Sequence, residues 1–206
     1  MDNEILTGVV LSSADAGEYD RRLKILTGDR GIITAFARGA RRQNSKLLSA
    51  ATPFTFGRFS VVESGSFYRL AEADVINYFD SLKHDLSSVT YASYILELSE
   101  YFSRENVEAN ELIRLIYQSF RALGAESVPD PLVRRVFEIR LLINEGIYPG
   151  VEETGHSADL IKTVSHVESA PLESLYTFRV SREVQEELSD FCDRLIRRFT
   201  DRPMKS

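Results

Sequence analysis

Two periods divide the chain. Up to about residue 80, short β-branched and aromatic runs are separated by turn signals, over Ile5–Leu11, Arg22–Thr27, Ile32–Arg38, Phe56–Glu63 and Phe67–Ala73. This predicts five strands. Thr27 to Gly31 and Ser64-Gly65-Ser66 are compact glycine-containing connections suited to hairpins, because glycine accepts the positive φ that such turns need. The third-to-fourth connection, from about Gly39 to Thr55, is far longer than a hairpin requires and predicts a projecting loop. Five short strands with one long loop between the third and fourth point to a small barrel or curled sheet of OB type.

Beyond residue 80 the period becomes helical. Tyr91, Tyr94, Ile95, Leu98 and Phe102 recur at three- and four-residue steps, as do Leu112, Leu115, Ile116, Phe120 and Leu123, with Asn110 placed to cap the second helix and Gly124 to stop it. Asp130-Pro131 reads as an N-cap with proline at the first helical position, opening a third helix through Val133, Val136, Phe137, Arg140 and Leu141 to Gly146. A last helix from about Ser181 lines up Val184, Leu188, Phe191, Cys192, Leu195 and Phe199. Residues 147–170 hold Pro149, Gly150, Gly155 and many polar side chains. There the pattern predicts irregular structure, with one short helix over Ala158–Val164 and a further turn from Pro171 to Phe178. The expected architecture is therefore α+β and multidomain: a five-stranded OB-type β-barrel over residues 1–80, then an all-α helical bundle over 81–206 with an irregular, cysteine-free segment at about 147–170.

Charge sharpens the first half. Residues 30–62 contain Arg30, Arg38, Arg41, Arg42, Lys46 and Arg58 and no carboxylate, in a chain of 206 residues that carries 31 acidic side chains and a net charge of −6. The densest stretch, Arg38 to Lys46, falls on the long loop. Residues 81–206 account for the acidic excess, and a Debye length of ~8 Å isolates a local basic face from distant carboxylates. Gly39 allows close approach of backbone to a ligand, and Gln43, Asn44 and Ser45 supply neutral donors to phosphate oxygens. This composition suits a polyanion site. Among the nearby aromatics, Tyr19 and Tyr68 are preferred over the phenylalanines as stacking platforms for unpaired bases, because a phenol tolerates a wet surface.

Other chemistry is poorly represented. His84, His156 and His166 show no metal-ligand spacing, and Cys192 lies on an apolar helical stripe. Asp15, Glu18 and Asp20 are the local candidates for a Mg²⁺ cluster and read better as a polar turn. No phosphate-binding glycine loop or nucleophile elbow occurs. The expectation is a non-catalytic protein with no cofactor and no metal. A single cysteine fits a reducing compartment, no apolar run approaches the ~18 residues of a membrane span, and Met1 to Glu4 lack the basic start of a signal peptide, which predicts a cytoplasmic protein with no membrane partner.

The run Ala16-Gly17-Glu18-Tyr19-Asp20-Arg21-Arg22-Leu23, then Leu26-Thr27, Gly31, Ala37-Arg38-Gly39-Ala40-Arg41-Arg42, Ser45-Lys46 and Pro53-Phe54, resembles the N-terminal signature of the recombination mediator family RecO. Looser likeness continues through Tyr91 to Tyr94, Leu96 to Leu98, Val136 to Leu142 and Glu145 to Pro149, and reaches Arg202 to Ser206. The resemblance implies an OB domain followed by a helical domain, binding of single- and double-stranded DNA, annealing of complementary strands, and partnership with RecR and single-stranded DNA-binding protein so that recombinase loads onto coated DNA. It implies a location in the cytoplasm, at the nucleoid during repair. It also implies a DNA-binding surface made of Arg21, Arg38, Arg41, Arg42 and Lys46. Many family members hold a four-cysteine zinc module after the position of Tyr148-Pro149. This chain reads Gly150 to His156 there, so zinc is not expected, and a further short segment beyond Ser206 is expected in longer members. The alternative is a protein adaptor whose basic loop docks an acidic peptide in place of DNA.

Overall fold

The computed structural model describes residues 3–204 apart from Gly124, Glu126, Ser127 and Glu153, so the expected helix stop at Gly124 lies outside the described residues. Two compact units emerge, Met1–Asp80 with Leu98–Ile113, and Ser81–Glu97 with Arg114–Ser206. The first holds five strands, β1 (Glu4–Ala16), β2 (Asp20–Thr27), β3 (Gly31–Ala37), β4 (Phe56–Ser64) and β5 (Phe67–Asn77), closed into a barrel in the order β1-β2-β3-β5-β4. Pairing is antiparallel except between β3 and β5, which meet in parallel only at Ala35 with Tyr68 and Phe36 with Arg69. This is the expected five-stranded OB-type barrel.

Alternation explains its interior. In β3, Ile33, Ala35 and Ala37 point inward and join Leu6, Val10, Leu23, Ile25, Phe59, Val61 and Leu70, while Ile32, Thr34 and Phe36 face outward. Each fully buried large side chain contributes about 1.5–3 kcal/mol over its exposed state. β1 runs five residues past its expected end. Pairing steps from Val10 with Ile25 to Ser12 with Lys24, so Leu11 is an extra residue that bends β1 from its β4 partner toward the far end of β2. β5 also outruns its apolar pattern, since Asp74 and Val75 continue to pair with Arg58 and Gly57.

Residues 98–113 belong to the barrel unit through backbone bonds. Ile32 N donates to Arg104 O at 3.2 Å, Asn106 N to Arg30 O at 2.8 Å and Ala109 N to Gly28 O at 2.8 Å. Gly31, at φ +61°, makes this possible: a Cβ there would lie 2.1 Å from Arg104 O.

The helices are α1 (Leu86–Phe102), α2 (Asn110–Leu123), α3 (Asp130–Asn144), α4 (Ala158–Ser169) and α5 (Arg182–Phe199). In the second unit α3 packs against α4 and α5 and buries Leu132, Val133, Val136, Phe137, Ile139, Leu141 and Leu142, which makes it the central helix. Its start differs from expectation. The cap position falls on Pro129, with no side-chain cap, and Asp130 is the first helical residue. The Asp130 carboxylate instead accepts from Ser87 Oγ at 2.9 Å and Ser88 Oγ at 3.2 Å, tying α3 to the first turn of α1. α3 ends as expected beside Gly146, whose N–H donates to Ile143 O.

α4 is longer than the short helix expected. Ser157 caps it by accepting from Leu160 N, Leu160, Val164 and Val167 bury one face, and Arg140 Nη1 closes it by donating to the carbonyls of Val167, Glu168 and Ala170. A helix end satisfied from another helix leaves no local sequence mark. The turn expected from Pro171 is a single 3₁₀ turn over Leu172–Ser174.

Candidate nucleic-acid interface

Residues 38–55 form a chain of turns fixed to the barrel at several points. Ala40 and Ala51 sit in the barrel core with Leu47 packed against them, so the loop's inner face is apolar. Its two ends are held by backbone. Arg41 N donates to Tyr19 O at 2.9 Å, Val10 N donates to Thr55 O at 2.9 Å and Phe54 N donates to Val10 O at 3.1 Å. Gly39, at φ +66°, turns the chain out of β3, and its N–H donates to Asp20 Oδ1 at 2.7 Å. The outward face carries the long polar side chains together with the exposed Leu48.

The five basic residues expected at the site separate into distinct roles. Arg21 is half-buried and braces the loop, with Nη1 donating to Ala51 O at 2.9 Å and to Ser13 Oγ at 3.5 Å. Arg41 is exposed but engaged, at 3.2 Å from the Asp15 carboxylate and donating to Glu18 O at 3.2 Å. Arg42 lies over the Tyr19 ring, 5.2 Å from its centroid, a cation–π pair on the surface. Arg38 and Lys46 are exposed and form no ion pair among the described residues. The loop thus carries Arg38, Arg41, Arg42 and Lys46, and Arg21 of β2 is bonded to it through Ala51 O.

The carboxylate-free window proves less bare in three dimensions. Glu4 from β1 accepts from Arg30 Nε at 3.0 Å and holds that guanidinium above its ordinary pKa, and Asp74 from β5 pairs with Arg58. With Asp15 on Arg41, three of the window's six cations have partners supplied from outside it. Those left unpaired by carboxylates among the described residues are Arg38, Arg42 and Lys46.

Of the two preferred tyrosines, Tyr19 is 44% exposed at the β1–β2 turn, whereas Tyr68 packs against the barrel core, and burial together with Glu63 pushes its phenol up. The outer barrel face carries a pair of the phenylalanines ranked below those tyrosines. Phe36 and Phe67 meet edge to face at 5.1 Å, and Phe67 is 39% exposed. Arg22 of β2 and Arg69 of β5 stand opposite Phe36 on the neighbouring strands. Period two leaves open which half of each strand points outward; the closed barrel decides it, and the strand order brings these residues together.

Among the described residues no group of three or more His, Cys, Asp or Glu side chains is placed to hold a metal. The stretch after Pro149 does not suit zinc: His156 is turned to Glu187, 3.3 Å away, and Cys192 is buried against Arg135 O. No described helix is long and apolar enough to cross a membrane.

Comparison with known proteins agrees with this architecture. Residues 1–79 match the family model described as recombination protein O N terminal, and residues 83–158 match recombination protein O C terminal. The DNA repair protein RecO of Anaeromyxobacter dehalogenans strain 2CP-1 is 38% identical over 154 residues, covering 74% of this chain and 60% of the relative. The protein of the same name from Alkaliphilus metalliredigens is 32% identical over 142 residues, covering 69% of this chain and 58% of the relative, and that from Acetivibrio thermocellus is 32% identical over 145 residues, covering 70% and 58%. The chain thus spans about three fifths of the length of these relatives. From its barrel, its helical unit and both family matches, the chain belongs to the RecO family of DNA repair proteins.

Proposed function

We propose that this chain is a non-catalytic DNA-binding and strand-annealing recombination mediator, acting in the cytoplasm at the nucleoid during repair. The observation that carries this reading is the loop between β3 and β4, where Arg38, Arg42 and Lys46 project without a carboxylate partner among the described residues from a base pinned into the barrel core. Displacement of counterions from phosphates by these cations gives affinity with little sequence preference. Neutralising two strands at one surface lowers the repulsion that opposes their pairing, so annealing requires neither nucleotide hydrolysis nor a bound cofactor. Arg41 adds to the surface once Asp15 releases it, and Arg21 acts by holding the loop in place. Family membership supports partnership with RecR and with single-stranded DNA-binding protein, and through them loading of recombinase onto coated DNA.

The test is titration of labelled single-stranded and duplex DNA at several salt concentrations. Wild-type protein binds both, log affinity falls linearly with log salt, and mixed complementary strands anneal faster with protein than without. Binding that is independent of salt and shows no nucleotide site size overturns the reading in favour of the adaptor, in which the same cations dock an acidic peptide. Cleavage of DNA on incubation with Mg²⁺ overturns the non-catalytic part.

A further inference from the structure

We propose that the outer face of β2, β3 and β5 is a stacking site for the unpaired bases of single-stranded DNA, built on Phe36 and Phe67 and flanked by Arg22, Arg38 and Arg69. It rests on the DNA-binding reading above and adds to it a second, chemically different surface. The basic loop recognises phosphate, which single and double strands share; the aromatic pair recognises ring faces, which only unpaired bases offer.

The geometry comes from the register. Arg22 is the cross-strand partner of Phe36 on β2, and Arg69 is its partner on β5, so one row across three strands reads arginine, phenylalanine, arginine. Adjacent strands lie ~4.8 Å apart, which places a cation-bearing strand on each side of the Phe36 ring within reach of the phosphates of a nucleotide stacked there. Phe67 stands two residues before Arg69 on the same face of β5 and meets Phe36 edge to face at 5.1 Å. Together with Arg38, Arg69, Val62 and Glu63 the two rings line a cleft of about 380 Å³, within the size range of small-molecule pockets.

Three features separate this pair from ordinary packing. The barrel interior is filled by aliphatic side chains and Phe59, and neither Phe36 nor Phe67 takes part in it. Phe67 leaves 39% of its surface in solvent, although a phenylalanine gains from burial. Arg22, Arg38 and Arg69 are exposed and form no hydrogen bond or ion pair among the described residues. An exposed ring and a half-buried one, bracketed by uncommitted guanidiniums, complement a base joined to a phosphate. Two carboxylates share the cleft: Asp20 is already occupied by the Gly39 N–H at 2.7 Å, and Glu63 stands at the rim and opposes the phosphate charge.

The protein contains no tryptophan, so Phe67→Trp introduces one reporter at the site. Emission of F67W is expected to quench on addition of oligo-dT and to stay unchanged with an abasic sugar–phosphate oligomer of equal length. In anisotropy titrations F67A and F36A should bind oligo-dT about 5- to 150-fold more weakly than wild type. Their affinity for duplex and for the abasic oligomer, and their salt slope, should match wild type. Glu63→Gln should tighten oligo-dT binding. Quenching by the abasic oligomer, an equal loss on all three probes, or wild-type oligo-dT affinity in F67A would each overturn the stacking site while leaving the loop reading intact. If the wild-type chain bound neither oligo-dT nor duplex, both would fall together.

Discussion

In the barrel unit Arg38, Arg42 and Lys46 stand in solvent without a carboxylate partner among the described residues, whereas the arginines of α3 are gathered inward and fully engaged. Glu138, 1% exposed, accepts from Arg134 Nε and Arg135 Nη1, both at 2.9 Å, and from the Tyr94 hydroxyl; Arg135 also reaches Asp193 at 2.7 Å. The Arg134 guanidinium lies 3.9 Å from the centre of the Tyr94 ring. Burial lowers the Arg135 pKa, and the adjacent Glu138 and Asp193 carboxylates more than offset this and raise it. Arg140 is spent on three carbonyls at the end of α4. The same side chain serves as a brace on α3 and at Arg21 and as a free charge at Arg38, and what decides between them is the supply of acceptors around it. A chain that is acidic overall can therefore leave guanidiniums free at positions where, among the described residues, no carboxylate pairs with them.

The largest expected effect is in the helical unit. Glu138→Ala leaves Arg134 and Arg135 partly buried without their shared acceptor, and loss of one member of a buried ionic network costs about 3–5 kcal/mol. Urea denaturation should show the midpoint falling accordingly. The loop variant R38A/R42A/K46A should leave that midpoint within about 0.5 kcal/mol of wild type, as solvated surface positions do. A neutral Glu138→Ala would erase the contrast between the two sets of arginines.

The loop variant should instead alter binding. Removing three phosphate contacts reduces the slope of log affinity against log salt by about two to three units, similarly for different DNA sequences. A triple variant with an unchanged slope would show that these cations do not meet phosphate. Arg21→Ala should combine smaller versions of both effects, since it leaves Ala51 O without its donor. A stability loss of about 1–2 kcal/mol is expected with it, and binding should weaken through the loop's position while the salt slope stays close to wild type. A full unit lost from the slope in R21A would place Arg21 among the phosphate contacts and not beneath them.

How much of this was legible in the residues depends on whether the cause is local. The five strands follow from short β-branched and aromatic runs between turn signals, and the last helix follows from Ser181 and its apolar stripe, because neighbours in sequence create both signals, whereas which face of each strand points inward is settled only by the closed barrel. The end of β1 is set by its hairpin partner β2 and escapes the apolar pattern although that partner is close in sequence, whereas the end of β5 is set by β4, the length of α4 by Arg140 of another helix, and the use of Asp130 by Ser87 and Ser88, all farther off in sequence. The site divides in the same way. The loop and its cations are contiguous and visible as a run, but Asp15, Glu4 and Asp74 reach that run only through the fold, so the window looked freer than it is. Arg22, Phe36 and Arg69 are separated in sequence and become neighbours only when β3 pairs with both β2 and β5.

The smallest expected effect tests that supply of acceptors directly. Among the described residues Asp15 is the one carboxylate paired with a cation of the projecting loop, at 3.2 Å from Arg41, and both side chains are well exposed, so the pair adds little to stability in water. Asp15→Asn keeps the shape of the β1–β2 turn, removes a negative charge next to the loop and releases Arg41. If a cation's freedom determines its contribution to binding, D15N should bind both single-stranded and duplex DNA about two- to fivefold more tightly at low salt, with the advantage shrinking as salt rises and the slope steepening by up to about one unit. Its urea midpoint should not move. An increase confined to single strands would place Arg41 with the bases, and no increase at all would mean that Arg41 already breaks its contact with Asp15 at no cost when DNA arrives, leaving the number of cations, and not their pairing, as the quantity that sets affinity.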